Sequence, residues 1–371
     1  MTETDRAFYE ERLRDFLPSR VVDIHTHCWL DAFRRAPGDG PRRAVSWPAL
    51  VARDNPVESL AETFRLLLPD KDCGALVFGF PDQEFDVDAS NDYVAANAGA
   101  HGYEALMLSR PEWSAQEYAD RLEAGRFLGA KVYLNFAADY IPGDELRILD
   151  FAPRHQLEVL DDRAAILMLH IPRPGRLKDP VNLHEMIEIE RRYPRLQIII
   201  AHVGRAYCDS DLGDAFLRLA GSTRLLFDIS ANTNSHVFAT AVRAVGTERI
   251  LFGSDLPITR MRMRRVCEDG RYVNIVPPGL YGDVTGDPNM RESSMDEANM
   301  LTFFFYEEID AFRRAADDCG LTHAEVEHVF HRNADRCLAR ARQFYGPGTA
   351  VSPAVAASSA PPGLYPAGGR A

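Results

Sequence analysis

The sequence predicts an α/β fold of the (β/α)8 TIM-barrel type, and three observations predict it. Apolar, strand-like runs recur at about 21–27, 74–80, 103–108, 129–136, 164–170, 196–202, 224–230 and 249–255. Between them lie segments whose apolar residues return at spacings of three and four, as helices that pack one face on a sheet require. Four of the runs end in polar residues: His25 and His27 in VVDIHTHC, His170 in AAILMLH, His202 in QIIIAHVG and Asp255 in RILFGSDLP. The reactive groups of a barrel gather at the C-terminal ends of its strands, so polar residues there carry chemical meaning.

The elements follow in order. Residues 3–16 are charged and amphipathic and are expected to form a leading helix ahead of the first strand. The stretch 28–56, rich in Arg, Pro, Gly and Trp, reads as an insertion after that strand, on the reactive face. Crossover helices are expected in ESLAETFRLLL (58–68), SNDYVAANA (90–98), EYADRLEAGRFL (117–128), LHEMIEIERRY (183–193), DAFLRLA (214–220) and VFATAVRAV (237–245). After the eighth strand comes a second insertion, 257–292, dense in Gly, Pro and Arg. So long a segment is seldom idle in a compact domain, and this one leaves the strand end that carries Asp255. A lid over the pocket is therefore expected ahead of an oligomer contact. A helical run at 297–320 and two short helices, in HAEVEHVF and ADRCLARARQF, close the fold. One domain thus spans 1–345, with the barrel proper at about 21–345, and 346–371 has the composition of a disordered tail. A chain of 371 residues is ample, since a barrel of this kind needs roughly 250.

Composition excludes some partners. Lys+Arg 42 against Asp+Glu 55 leaves a net charge of −13, with no basic stripe, so a nucleic-acid partner is not expected. No apolar stretch approaches the ~18 residues of a membrane span, and the charged N-terminus lacks the apolar core of a signal peptide. A soluble, cytoplasmic protein is expected. The 6 cysteines, Cys28, Cys73, Cys208, Cys267, Cys319 and Cys337, stand singly and are too sparse for a disulfide framework. They are expected mostly as small buried hydrophobes, with Cys28 and Cys208 close enough to the histidines to line a site.

His-x-His on a strand places both imidazoles on one face, because side chains alternate with period two, so His25 and His27 can hold a single ion. One strand histidine such as His170 is ordinarily a satisfied core residue, and Asp255 alone is an ordinary cap. Five polar residues at the ends of four strands are not explained that way.

HTH after the first strand, single histidines after the fifth and sixth, GSDLP after the eighth and the closing HRNADRCL resemble the amidohydrolase superfamily over roughly residues 21–345. Within it the chain is most similar to the amidohydrolase-related (amidohydrolase 2, decarboxylase/lactonase-like) branch. The resemblance implies a metal-dependent hydrolase type of barrel, with His25, His27, His170 and Asp255 on one divalent ion and His202 beside it as electrophile or acid/base. Imidazoles and a carboxylate suit Zn2+, ahead of Mn2+ or Fe2+, and Zn2+ lowers the pKa of bound water to about 7. Asp255 then takes the proton of that water and passes it to the leaving group. Some superfamily members bridge two metals with a carboxylated lysine on the fourth strand; Lys131 lies there, but the branch implies one ion. Lys131, otherwise expected in an ion pair inside or beneath the barrel, shares parity with Tyr133 and Asn135, so if it faces inward they do too, Asn135 nearest the rim.

Arginines crowd the same rim: Arg173 and Arg176 after His170, Arg205 after His202, and Arg260, Arg262, Arg264 and Arg265 after Asp255. Guanidinium groups bind carboxylates in bidentate fashion, so a carboxylate-bearing small molecule is the expected ligand. Arg173 and Arg205 are its first candidates, with Asn232 to orient it. The expected activity is hydrolysis of an amide, lactone or ester bond through a metal-activated water. The alternative is nonoxidative decarboxylation of an aromatic or dienoic acid, in a flat slot lined by Trp29, Trp47, Phe80 and Tyr281. A catalytically silent barrel comes last, because no ligand position is lost. A homodimer fits the branch.

Overall fold

The computed structural model describes residues 1–35 and 50–346. Trp47, most of the first insertion and the tail beyond 346 lie outside the described residues. Nine parallel segments build the barrel wall: β1 Arg20–His27, β2 Asp72–Phe78, β3 Glu104–Ala105, β4 Met107–Leu108, β5 Gly129–Val132, β6 Ile166–Leu169, β7 Gln197–Ile200, β8 Leu226–Asp228 and β9 Ile250–Leu251. β3 and β4 are two halves of one strand interrupted at Leu106, whose N–H donates to the Val77 carbonyl at 2.9 Å. Eight strand positions result, each overlapping one of the eight apolar runs, with β1 and β2 beginning one and two residues earlier than expected.

The ring closes between the last position and the first. Ile24 N–H donates to Phe252 O at 3.0 Å, His27 N–H to Leu256 O at 2.7 Å, and Asp255 N–H to His25 O at 2.8 Å. No barrel edge is left to pair elsewhere. The closure needs Gly253, since a Cβ there would stand 2.7 Å from the Cβ of His25. Strands such as ILML and QIII are buried along their whole length, as parallel strands covered on both faces must be.

The crossover helices form where the apolar spacing placed them: Val57–Leu67, Val87–Asn97, Ala115–Ala124, Pro180–Arg192, Ala215–Arg218 and Ser235–Val245. Side chains of Asp86, Ser114, Asp179 and Asn234 accept from N–H groups of the first helical turn and so fix several starts. A further helix, Arg154–Asp162, was not foreseen; it shows little apolar pattern, burying Leu157, Leu160 and a glutamine, Gln156. The leading helix is shorter than expected, Glu3–Phe8 followed by a wider turn over Tyr9–Leu13. The run at 297–320 is broken into Met295–Ala298 and Phe304–Cys319. Between them Thr302 donates to Asp5 Oδ1 at 2.9 Å, and Phe303 pairs with Arg262 in extended conformation.

The second insertion is not irregular. It carries a three-stranded sheet, β10 Arg264–Glu268 antiparallel to β11 Arg271–Val276, with β12 Met290–Glu292 parallel to β11. The hairpin turns at Asp269-Gly270, both at positive φ (50° and 75°), the conformation this dipeptide favours. Met261, Met263, Val276 and Met290 seat the sheet on the barrel against Phe304.

The cysteine expectation needs correction. Cys208 and Cys267 form a disulfide across 59 residues, tying the segment after β7 to β10. Their pairing depends on the hairpin, which brings the two Cα atoms to 5.8 Å. Cys28 and Cys337 are buried free thiols, as expected of small hydrophobes. Neither Cys28 nor Cys208 lines the cavity described below.

Candidate metal centre and active site

β1 presents His25 and His27 from the same face into the barrel mouth, with ring centroids 5.5 Å apart. Each ring is fixed through Nδ1. His25 Nδ1 donates to Asp228 Oδ2 at 2.9 Å, and His27 Nδ1 donates to Gly79 O at 3.0 Å. The lone pair of each ring therefore sits on Nε2. Both Nε2 atoms face Asp255 Oδ1, at 3.0 Å from His27 and 3.4 Å from His25. Acceptors pointed at an acceptor repel one another unless a cation lies among them. His25, His27 and Asp255 hold their donor atoms within 4.8 Å of one another, as a metal requires.

Two more histidines share the cavity. His202, just past β7, has its ring 4.9 Å from His25 and 5.3 Å from His170. Its Nδ1 lies 3.0 Å from Ser230 O, which leaves Nε2 as the acceptor, and its backbone N–H donates to Asp228 Oδ1 at 2.8 Å. His170, just past β6, packs on Tyr133 and has a buried Nδ1 without a hydrogen-bond partner among the described residues. An orphaned buried imidazole nitrogen beside such a cluster fits a donor set awaiting an ion.

Asp228, at the end of β8, also completes a triad with His25 and His202. Its carboxylate already accepts from the His25 ring, His202 N–H, Ser230 N–H and the Ser230 hydroxyl. It fixes the His25 ring and the His202 backbone and has little capacity left to hold an ion itself.

Burial sets the charge states. It pushes His25 down to about 3, helped by the Lys131 ammonium. His170 is driven well below the ordinary imidazole value by burial and then by Arg205. His202 is also lowered, because burial outweighs the pull of Asp255. Burial raises Asp255, but the close approach of His27 Nε2 and the neighbouring His202 and His25 rings outweigh it, and the carboxyl lies below its usual range. Neutral rings around an ionised carboxylate are the protonation states that metal ligands need. Lys131 Nζ lies 3.3 Å from His25 Nε2, and burial pushes the amine down to about 8. His202, Arg205, Ala231 and Asp255 all lie at positive φ (57°, 60°, 47° and 63°), a strained set gathered at one site.

These groups line a cavity of about 240 Å3. Lys131, Tyr133 and Asn135 all face it, although β5 ends at Val132 and Asn135 sits in the short 3-10 turn Leu134–Phe136, where strand parity no longer applies. Phe80, Tyr207, Ile258, Tyr272 and Asn289 complete much of the wall, so the second insertion supplies one side of the cavity. Of the substrate-binding candidates, Arg205 lines it and Arg173 does not; the Arg173 guanidinium lies 3.8 Å from Asp179. Asn232 is fully buried beneath the rim, donating to Ala206 O at 2.8 Å. Of the expected aromatic slot, Phe80 alone among the described residues lines the cavity; Trp29 packs behind it with its ring tilted by 55°, and the Tyr281 hydroxyl accepts from Arg262 N–H. Asp228 and Arg265 went unremarked or unranked in the sequence, although Asp228 ends an apolar run, LLFD, as the other site residues do.

A closed barrel with imidazoles and a carboxylate converging at its mouth defines a class of metal-dependent barrel enzymes. A family model described as Amidohydrolase matches residues 22–340, and the chain belongs to that family and is an enzyme. No curated protein matches it. Among solved structures, Amidohydrolase 2 from Bifidobacterium longum subsp. infantis aligns with a TM-score of 0.51 at 14% identity, covering 87% of this chain and 99% of that one. A probable 2-pyrone-4,6-dicarboxylic acid hydrolase from Acinetobacter baumannii, with citric acid bound, aligns at 0.53 and 12%, covering 86% and 99%. A 2,6-dihydroxybenzoate decarboxylase complexed with 2,6-dihydroxybenzoate aligns at 0.51 and 14%, covering 87% and 100%. At these identities the likeness shows the barrel fold. No helix among the described residues is long and apolar enough to cross a membrane.

Proposed function

We propose that the protein is a mononuclear metal-dependent hydrolase that opens an amide, lactone or ester bond of a small carboxylated molecule. The observation that carries this reading is the convergence of His25 Nε2 and His27 Nε2 on Asp255 Oδ1. His25, His27, His170 and Asp255 would hold the ion, Zn2+ ahead of Mn2+ or Fe2+ on the softness of the donors. When bound, such an ion polarises a carbonyl and lowers the pKa of water to about 7. Asp255, ionised at neutral pH, takes a proton from the attacking water and returns it to the leaving group. His202, held by Ser230 and Asp228, offers an uncharged Nε2 that accepts and returns a proton at the substrate. Arg205 spends one nitrogen on the carbonyls of Ile171 and Pro172 and has N–H groups left for a substrate carboxylate. The small cavity suits a small molecule. The citrate and dihydroxybenzoate held by the two neighbours above are carboxylates too.

The second reading, nonoxidative decarboxylation, is favoured by the wall of Phe80, Tyr133, Tyr207 and Tyr272, which suits a planar acid. A cytoplasmic location goes with the proposal, although the Cys208–Cys267 bond counts against a reducing compartment. The test is a panel of carboxylated lactones, amides and esters beside aromatic and dienoic acids, assayed on zinc-loaded protein in 18O water. Hydrolysis that places one solvent oxygen in the product supports the first reading. Release of CO2 without oxygen uptake would replace it with the second, and no turnover of either set would count against both readings.

A further inference from the structure

The arginines at the rim divide by partner. Arg176 is bound to Asp211 at 2.6 Å, Arg262 to Asp5 at 2.6 Å, and Arg173 faces Asp179. Of the three that line the cavity, Arg205 and Arg265 have no carboxylate partner among the described residues. Arg205 is reached by the sequence argument; Arg265 comes from the inserted hairpin.

Arg265 is held rigidly. Its Nε donates to Asn274 Oδ1 at 2.8 Å, and its Nη1 donates to Ala231 O at 2.6 Å. Its guanidinium lies over Tyr207 at 4.8 Å, Tyr272 at 4.5 Å and Phe304 at 4.6 Å. The two acceptors leave Nη2 without one among the described residues, and both tyrosines line the same cavity as Arg265. A half-buried guanidinium between rings, with no carboxylate in ion-pair contact among the described residues and only the more distant pull of Asp255, is a site that gains when a ligand anion arrives. Rings on either side also fix its orientation in advance, which limits the ordering cost of binding.

We propose that Arg265, presented by the β10–β11 hairpin, is the residue that selects the anionic group of the substrate, a carboxylate carried on a planar frame. This rests on the carboxylated-substrate reading above, and it assigns that recognition to the insertion. Tyr207 and Tyr272 form the wall along which the planar frame lies, and Arg205 stands as the second cation of the pocket.

The test uses benzoate and its neutral isostere benzamide as probes, with calorimetric binding to the zinc-loaded full chain. Wild-type protein should prefer benzoate. Arg265→Gln keeps a donor near the position of Nε for Asn274, gives up the contact with Ala231 O and removes the charge; it should weaken benzoate at least tenfold while leaving benzamide within twofold. Arg265→Lys should fall between, and Arg173→Met should match wild type. A merely structural role for Arg265 would weaken both probes together, and that result would overturn the proposal. So would a wild type that does not distinguish the probes, or an Arg265→Gln protein that still does. Zinc content, read on the same samples, reports separately on the metal site.

Discussion

His25 and Asp255 do different work from His202, although all three border one cavity. The first two turn their donor atoms toward a common point, while His202 Nδ1 is committed to Ser230 O. His25→Ala or Asp255→Ala should therefore lose bound zinc and activity together. His202→Ala should keep most of the zinc and lose activity, and elemental analysis beside the assay reads both; equal zinc loss in all three would move His202 into the ligand set. Asp228 acts through others. Asp228→Asn leaves the His25 ring without its anionic partner and should cost about 10–100-fold in zinc affinity, as loss of an orienting carboxylate does. Chelator competition measures it, and an unchanged affinity would remove Asp228 from the site. Why were some of these residues legible? His25, His27, His170, His202 and Asp255 each interrupt or end an apolar run, so local pattern exposes them. Asp228 does too, but its meaning depends on a ring 203 positions away. Arginines are less legible still, because which of them is spent on an aspartate is decided only by folding.

Among the elements, the inserted hairpin departs furthest from expectation. Its turn was readable in principle, since Asp-Gly between β-rich strands, CED-G-RYV, is a strong hairpin signal. Its use was not, because a wall of the cavity and a disulfide partner both come from tertiary placement. The same limit hid Arg154–Asp162, whose one-sided contact with the barrel needs few apolar residues. The disulfide ties the strand that carries Arg265 to the segment that carries Arg205 and Tyr207. Closing a loop of 59 residues is worth about 2–4 kcal/mol, drawn mainly from the unfolded chain. Cys267→Ser should lower the melting temperature accordingly and raise KM for an anionic substrate, with zinc per chain unchanged. Calorimetry, steady-state kinetics and metal analysis on one preparation check all three, and a KM equal to that of wild type would show that the hairpin holds its place without the bond.

For the molecule as a whole, the seam where the last strand position meets β1 is both the closure of the barrel and the floor of the site. The alternation of apolar runs predicts eight strands, but the closing hydrogen bonds run through GSDLP, where regular strand has ended, so no periodicity marks them. Asp23 sits in that seam. Its Oδ1 accepts from His25 N–H at 3.1 Å and Ser254 N–H at 2.9 Å, while its buried Oδ2 has no partner. Burial raises this carboxyl from the ordinary aspartate value to about 7, against the pull of its hydrogen bonds with Ser254 and His25. The folded chain thus favours the protonated form. Stability from that preference is fully present below the unfolded value near 4 and is lost as pH rises through about 7. Asp23→Asn keeps a neutral group of the same shape, so it should gain on wild type by roughly 1.4 kcal/mol per pH unit across that window. Melting temperatures of zinc-free wild type and Asp23→Asn, taken from pH 4 to 8, give the difference directly. Groups that Asp23 does not influence, including the buried imidazoles of His170 and His202, cancel in that comparison, whereas Glu308, which the Asp23 charge pushes up, is relieved in the variant. A difference that stays flat across the range would mean that Asp23 is ionised in the folded barrel and that its charge is met at the seam.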